Sequence, residues 1–234
     1  MKIAVISDLH GYLPNYPNKY WDGIEECEIL LICGDIMPLN IQTNMPKSKY
    51  WLIEDFKLWA LDLPIEKIYI VAGNHDFWFE RNNLEAHSIF SKHDKVTYLC
   101  NEFIEHISTQ DSKVYRIFGT PYCKIFGNWA FMRDNEFLAQ KYNEIPENID
   151  LLISHDAPQI SDVGVISEGY YSGIDAGNLV LAEAIKNKKP KYSFCGHIHS
   201  GTHTLQSIEN TQIANCSSVN EKYQLFYKPL IIRI

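Results

Sequence analysis

Five short runs along the chain are apolar at nearly every position: KIAVIS (2–7), EILLIC (28–33), KIYIVA (67–72), DLLIS (150–154) and YSFC (192–195). They are rich in β-branched and aromatic residues, and they do not alternate with polar ones. That pattern predicts strands covered on both faces. Between them lie segments with helical spacing. Residues 49–62 place Trp51, Leu52, Phe56, Trp59 and Ala60 on one stripe, and Pro64 stops the pattern. Residues 176–187 carry a similar stripe that ends before Pro190, and residues 78–93 read as a weaker helix. Residues 101–118 predict a hairpin with its turn near Thr109 to Ser112, and residues from about 203 to 233 read as further strands. Alternating strands and helices with added strands predict two packed sheets flanked by helices, in one domain over residues 1–234.

Each of the five apolar runs leads directly into residues able to bind metal or phosphate. The first reaches Asp8, His10 and Gly11, the second Gly34 and Asp35, and the third Gly73, Asn74, His75 and Asp76. The fourth reaches His155 and Asp156, and the fifth Gly196, His197 and His199. In open α/β sheets, ligands bind beyond the carboxyl ends of the strands. Five strands of one sheet running the same way would converge these groups on one crevice. The plain alternative, that each one caps a neighbouring helix or turn, would need five coincidences.

Charge and composition narrow the chemistry. The 234 residues carry a net charge of −8, with 46% hydrophobic and 21% charged positions, as expected of a globular chain with a sizeable core. An acidic balance argues against a surface for long nucleic acid. It does not argue against a small anionic substrate, because a bound ion reverses the local field. Cys27, Cys33, Cys100, Cys123, Cys195 and Cys216 are scattered without a CxxC pair, so they read as reduced thiols in a cytoplasmic protein. No stretch approaches a membrane span, and the apolar run at the N-terminus is too short for a signal peptide.

Asp8, His10, Asp35, Asn74, His155, His197 and His199 form a nitrogen and oxygen donor set. Such donors suit Mn, Fe, Zn or Co rather than a cysteine-rich structural zinc. Seven side chains exceed one tetrahedral site but suit two ions sharing a bridging carboxylate. Two ions roughly 3.5–4 Å apart clamp the attacking and leaving oxygens of a phosphoryl displacement.

The ordered series SDLHG, GDI, GNHD, SHDAP and GHIH, running from residue 7 to residue 199, resembles the motifs of the calcineurin-like metallophosphoesterases. The segment GTPYCKIFGNWAF (119–131) also resembles the metallophosphoesterase-domain-containing branch described with brain protein 239. The resemblance implies a four-layer α/β/β/α sandwich of two mixed sheets with a two-metal centre, manganese foremost among the ions. It implies that Asp8, His10 and His199 hold one ion, that Asn74, His155 and His197 hold the other, and that Asp35 bridges. It further implies in-line attack on phosphorus by a hydroxide that the ions activate, with His75 contacting the phosphate and protonating the leaving oxygen. Asp76 either orients His75 or another site histidine, or caps the following helix.

One departure bears on the substrate. In the family's protein phosphatases the bridging aspartate is followed by an Asp-Arg-Gly motif whose arginine holds phosphate, whereas IMPLNIQTN follows Asp35 here. A small phosphodiester or phosphomonoester, with nucleotides and cyclic nucleotides among the candidates, is therefore expected rather than a phosphoprotein. A catalytically weak scaffold of the same fold and a nuclease are the alternatives. Tyr122, Phe126, Trp129 and Phe131 either wall a pocket for a base or pack in the core. His87 and His93 read as solvated, and His203 as a loop residue near the site.

Overall fold

The computed structural model describes residues 1–234 and places 13 strands in two main sheets and one short pair. The first sheet has the order β13-β1-β2-β3-β4, with β1 Lys2–Ile6, β2 Ile29–Cys33, β3 Lys67–Val71, β4 Val96–Tyr98 and β13 Leu230–Arg233. Its strands run parallel except β13, which pairs antiparallel with β1 along one edge. The second sheet has the order β11-β12-β10-β9-β6-β5. Its strands are β5 Glu102–Ile107, β6 Val114–Thr120, β9 Leu151–Ser154, β10 Tyr192–Cys195, β11 Gln206–Ile208 and β12 Thr211–Asn215. Here β6, β9, β10 and β12 are parallel, and β5 and β11 are antiparallel edges. The short pair joins β7 Cys123–Lys124 to β8 Met132–Arg133.

The continuous apolar runs are explained by three separate cores. Along β1, Ile3 and Val5 point between the sheets while Ala4 and Ile6 point outward, and β2 and β3 divide in the same way. The inner core receives Leu31, Val71, Ile117, Leu151, Ile153 and Phe194 from both sheets. The outer face of the first sheet is covered by α1 Met45–Trp51, α2 Lys57–Asp62, α3 Phe77–Arg81 and α4 Asn83–Phe90. A π-helical turn, Leu52–Phe56, makes α1 and α2 continuous. The outer face of the second sheet packs on α5 Asn135–Asn143 and α6 Leu179–Lys188. Strands buried on both faces need apolar residues at every position, and the result is the α/β/β/α layering expected.

One expectation is corrected. The five apolar strands do not share a sheet, because β1, β2 and β3 lie in the first and β9 and β10 in the second. The two parallel sets nevertheless carry their carboxyl ends to the same edge of the sandwich, where an isolated bridge pairs Ser7 with Ser217. Residues 78–93 divide into α3 and α4, while α5 and the short strands β4, β7 and β8 lack a periodic signal long enough to predict them. The hairpin expected over 101–118 is β5 and β6. No helix is long and apolar enough to cross a membrane.

Candidate metal centre

The loops leaving β1 and β2 zip together before they supply any side chain. Asp8 N donates to Gly34 O, His10 N to Asp35 O and Gly11 N to Ile36 O, each at 2.9 Å. Following this path puts Asp8, His10 and Asp35 at φ of 53°, 44° and 52°, with His197 at 70°. Non-glycine residues seldom adopt the left-handed region, and when they do the strain concentrates at functional sites. Glycines provide the close approaches. A Cβ on Gly196 would overlap the Ser7 hydroxyl and the Asp8 carboxylate, and one on Gly73 would overlap Asp35.

Two groups of donors result. Asp8, His10 and His199 bring their ligand atoms within 4.8 Å of one another, as do Asp35, His155 and His197. In the first group, His10 Nε2 lies 3.3 Å from His199 Nε2, and His199 Nε2 lies 3.6 Å from Asp8 Oδ1. In the second, Asp35 Oδ2 lies 3.3 Å from His155 Nε2, whose other contact is Asn74 Oδ1 at 2.9 Å. The same Asp35 oxygen is 3.9 Å from His10 Nε2, so this carboxylate faces both groups. Every one of these side chains is buried except that of His197, which is half-buried.

The electrostatics favour cations here. Burial pushes the Asp8 and Asp35 carboxyls up, but neighbouring histidines outweigh it: His199 beside Asp8 and His155 beside Asp35 hold both below the usual range. Burial pushes His10 and His197 down to about 4, which keeps them neutral with a lone pair to offer. Burial pushes His155 down, but the Asp35 carboxylate outweighs it and raises the imidazole to about 10. Its Nδ1–H donates to Cys33 O at 2.8 Å, which aims Nε2 into the centre, where a cation would take the place of the Nε2 proton. The buried Nδ1 of His10 has no hydrogen-bond partner. Two ionised carboxylates, an amide oxygen and converging imidazoles without thiolates fit two divalent ions.

His75 stands beside the second group, with Nε2 3.9 Å from Asp35 Oδ2 and its backbone N–H donating to Asp35 Oδ1 at 2.7 Å. Trp129 lies against its ring at 4.6 Å between centroids. Asp76 makes no hydrogen bond to an imidazole. Its carboxylate accepts from Gly73 N, Met37 N and Ile36 N at 2.7, 2.9 and 3.3 Å, and it makes no side-chain cap on α3. Burial pushes that carboxyl up to about 7. Neither role expected of Asp76 matches this placement: it staples the loop after β2 to the loop after β3. The neighbouring Asp156 accepts from Lys124 N and Asn178 Nδ2.

A cavity of about 560 Å³ opens onto the centre, lined on one side by Asp35, Asn74, His197 and His199. Its other walls include Phe126, Trp129, Tyr171, Ile174 and Tyr223, with Lys124 as the pocket's only lysine or arginine. The aromatics of residues 119–131 therefore divide, because Phe126 and Trp129 line the cavity while Tyr122 and Phe131 pack in the core. Tyr223, at φ 56°, sets its ring 4.8 Å from His199 and 4.9 Å from His10. Tyr223 and Tyr171 carry no motif, and only folding reveals them; Lys124 lies in the 119–131 segment without a signal of its own there. Asn215 is equally silent in the sequence: its amide donates to Val163 O, Gly196 O and Ile198 O and so holds the loop of His197 and His199. His203 donates Nε2–H to His199 O at 3.0 Å and stacks on Tyr227.

Comparison with known proteins agrees with this picture. The sequence profile described as calcineurin-like phosphoesterase matches residues 1–201. Metallophosphoesterase domain-containing protein 1 of Homo sapiens is 26% identical over 247 residues, spanning 99% of this chain and 70% of that protein. UPF0046 protein C25E10.12 of Caenorhabditis elegans is 26% identical over 251 residues, spanning 100% of this chain and 81% of its own. Among solved structures, TT1561 of Thermus thermophilus superposes with a TM-score of 0.59 at 11% identity, over 92% of this chain and 88% of that one. The phosphopantetheinyl hydrolase of Mycobacterium tuberculosis superposes with a TM-score of 0.55 at 13% identity, over 95% and 90%. At such identities the likeness is one of fold.

Proposed function

The chain belongs to the calcineurin-like phosphoesterase family and is a hydrolase of phosphoester bonds, and on that premise we propose that it cleaves a small phosphodiester or phosphomonoester at a two-metal centre. The observation that carries this reading is the position of Asp35, whose carboxylate faces the histidines of both donor groups. Asp8, His10 and His199 would hold one divalent ion, and Asn74, His155 and His197 the other, with Asp35 between them. The oxygen and nitrogen donors favour manganese, iron, zinc or cobalt, manganese foremost. Bound there, the ions would acidify water and neutralise charge on the phosphoryl oxygens.

The protein's own groups do the rest. His75 faces the pocket through Nε2 and protonates the leaving oxygen, a task suited to imidazole near neutral pH. Trp129 and Tyr223 restrict its ring and wall the space where the ester sits. The cavity is large enough for a nucleotide-sized ligand, and Phe126, Trp129, Tyr171 and Tyr223 offer flat faces to a base. The loop after Asp35 has no arginine with which to grip a phosphoprotein. Six unpaired cysteines support a reducing, cytoplasmic setting.

Purified protein supplied with Mn²⁺ should hydrolyse bis(p-nitrophenyl) phosphate and members of a nucleotide and cyclic-nucleotide panel. Folded protein that turns over none of them with any divalent ion would overturn the reading and favour a scaffold.

A further inference from the structure

The imidazole of His75 is oriented by a residue that no motif marks. Its Nδ1 lies 2.6 Å from Oε1 of Gln42, which comes from the loop after β2. That loop is not free to drift. Ile41 N donates to Pro38 O at 3.1 Å, Asn44 N to Ile41 O at 2.8 Å, and Ser48 Oγ to Ile41 O at 2.8 Å. Ile41 packs against the outer core, and the Asp76 carboxylate ties Ile36 and Met37 back to the loop that carries His75. Gln42 and His75 are thus set against each other, from the loops after β2 and β3, by a brace of backbone and side-chain bonds.

A side-chain carbonyl can only accept, so Nδ1 must carry hydrogen whenever this bond is made. The second nitrogen, Nε2, is then the one turned toward Asp35 and the cavity. We propose that Gln42 is the positioning residue for His75: it holds hydrogen on Nδ1 and leaves Nε2 as the atom that gives a proton to the leaving group. The inference rests on the role assigned to His75 above. In the step concerned, the bond from phosphorus to the leaving oxygen breaks with its electron pair going to oxygen. That oxygen takes the Nε2 proton, and the proton released by the attacking water replaces it. Gln42 keeps the same Nδ1–H bond before and after transfer. An uncharged amide does this without adding a second negative charge beside Asp35, which a carboxylate at this position would do.

The test compares Gln42→Leu, Gln42→Glu, His75→Ala and the double variant Gln42→Leu/His75→Ala, all as full chain loaded with the same ion. A p-nitrophenolate departs without help, whereas phenolate needs the proton. Gln42→Leu should lose at least about tenfold more turnover on diphenyl phosphate than on bis(p-nitrophenyl) phosphate, in kcat rather than KM, with unchanged metal content. Gln42→Glu should recover most of the difference, and Gln42→Leu should add nothing to His75→Ala. In the zinc-loaded protein, the ¹⁵N spectrum of His75 should show protonated Nδ1 at neutral pH in the parent and a changed tautomer balance in Gln42→Leu. Equal losses on both esters, loss of metal, additivity in the double variant or an unchanged ¹⁵N spectrum would each overturn the proposal. Should His75→Ala itself show no dependence on the leaving group, the acid role of His75 fails. The ¹⁵N spectrum then decides separately whether Gln42 orients the ring.

Discussion

His10 Nε2 and His199 Nε2 face each other across 3.3 Å although 189 residues separate them in sequence. Two imidazole nitrogens at this distance share at most one hydrogen, and an Asp8 oxygen lies 3.6 Å from the second of them. Together the three side chains form a buried group of nitrogen and oxygen donors that could hold one cation.

Metal binding should therefore divide between the two groups. His199→Ala is expected to lose one bound ion, and Asp35→Asn to weaken both, by metal analysis of dialysed protein. Saturation with Mn²⁺ at about 100 times its dissociation constant adds about 2.7 kcal/mol of stability, or roughly 5–10 °C in Tm for a chain of this size. Asp35→Asn should abolish most of that rise in a thermal melt.

Gly196→Ala drives one methyl group against the Ser7 hydroxyl and the Asp8 carboxylate. Backbone and carboxylate must separate to admit it, at about 1–3 kcal/mol of stability. Because Asp8 also accepts from His197 N at 3.0 Å, the same shift should disturb the first ion's ligands. Urea unfolding and metal stoichiometry on the same preparation should both fall.

The aromatic wall should act on substrate affinity rather than on the ions. Removing Tyr223 or Trp129 as alanine is expected to raise KM for a nucleotide substrate by about tenfold or more, as for loss of one stacking face. Tyr223→Ala should leave metal content unchanged. A KM that does not move in either variant would show that the base lies elsewhere.

A pH-dependent contribution lies at the opposite end of the sandwich. The buried Glu28 carboxylate accepts from His106 Nε2, Ser108 Oγ, Thr109 N and Gln110 N, and so bolts β2 to the hairpin of the second sheet. Burial pushes this carboxyl up, but those hydrogen bonds outweigh it and hold it below the ordinary 4.5. The unfolded chain then takes up the proton first, so the bolt is fully effective above pH 4.5 and is lost as pH falls through the lower folded value. Glu28→Gln should cost about 1.5–3 kcal/mol near pH 7 in urea titrations. The gap to the parent should narrow steadily on acidification below pH 4.5.

The legibility of the site follows from where its residues stand. Asp8, Asp35, Asn74, His155 and His197 each follow an apolar strand directly, so a run of β-branched residues ending in Gly, Asp or His announces both strand and ligand. Gln42 and Tyr223 follow no such run, and nothing in their neighbourhoods sets them apart from ordinary turn residues. Their roles come from contacts with His75 and with the His10 and His199 rings, across the chain. Asp76 is visible as chemistry but not as geometry, since a carboxylate beside a histidine in sequence can turn toward a backbone amide as readily as toward a ring.

The amino-acid sequence by itself determined which aspartate, asparagine and histidine side chains offer donors at strand ends and the buried strands that carry them. Those properties are local, set by side-chain chemistry and by apolar residues at consecutive positions. Only the tertiary structure decided that the strands belong to two sheets, that Asp35 faces both donor groups, and that Gln42, Trp129 and Tyr223 surround His75. Both sheets can satisfy the same apolar pattern, so partner choice rests on how three cores fill at once. No single segment carries that information.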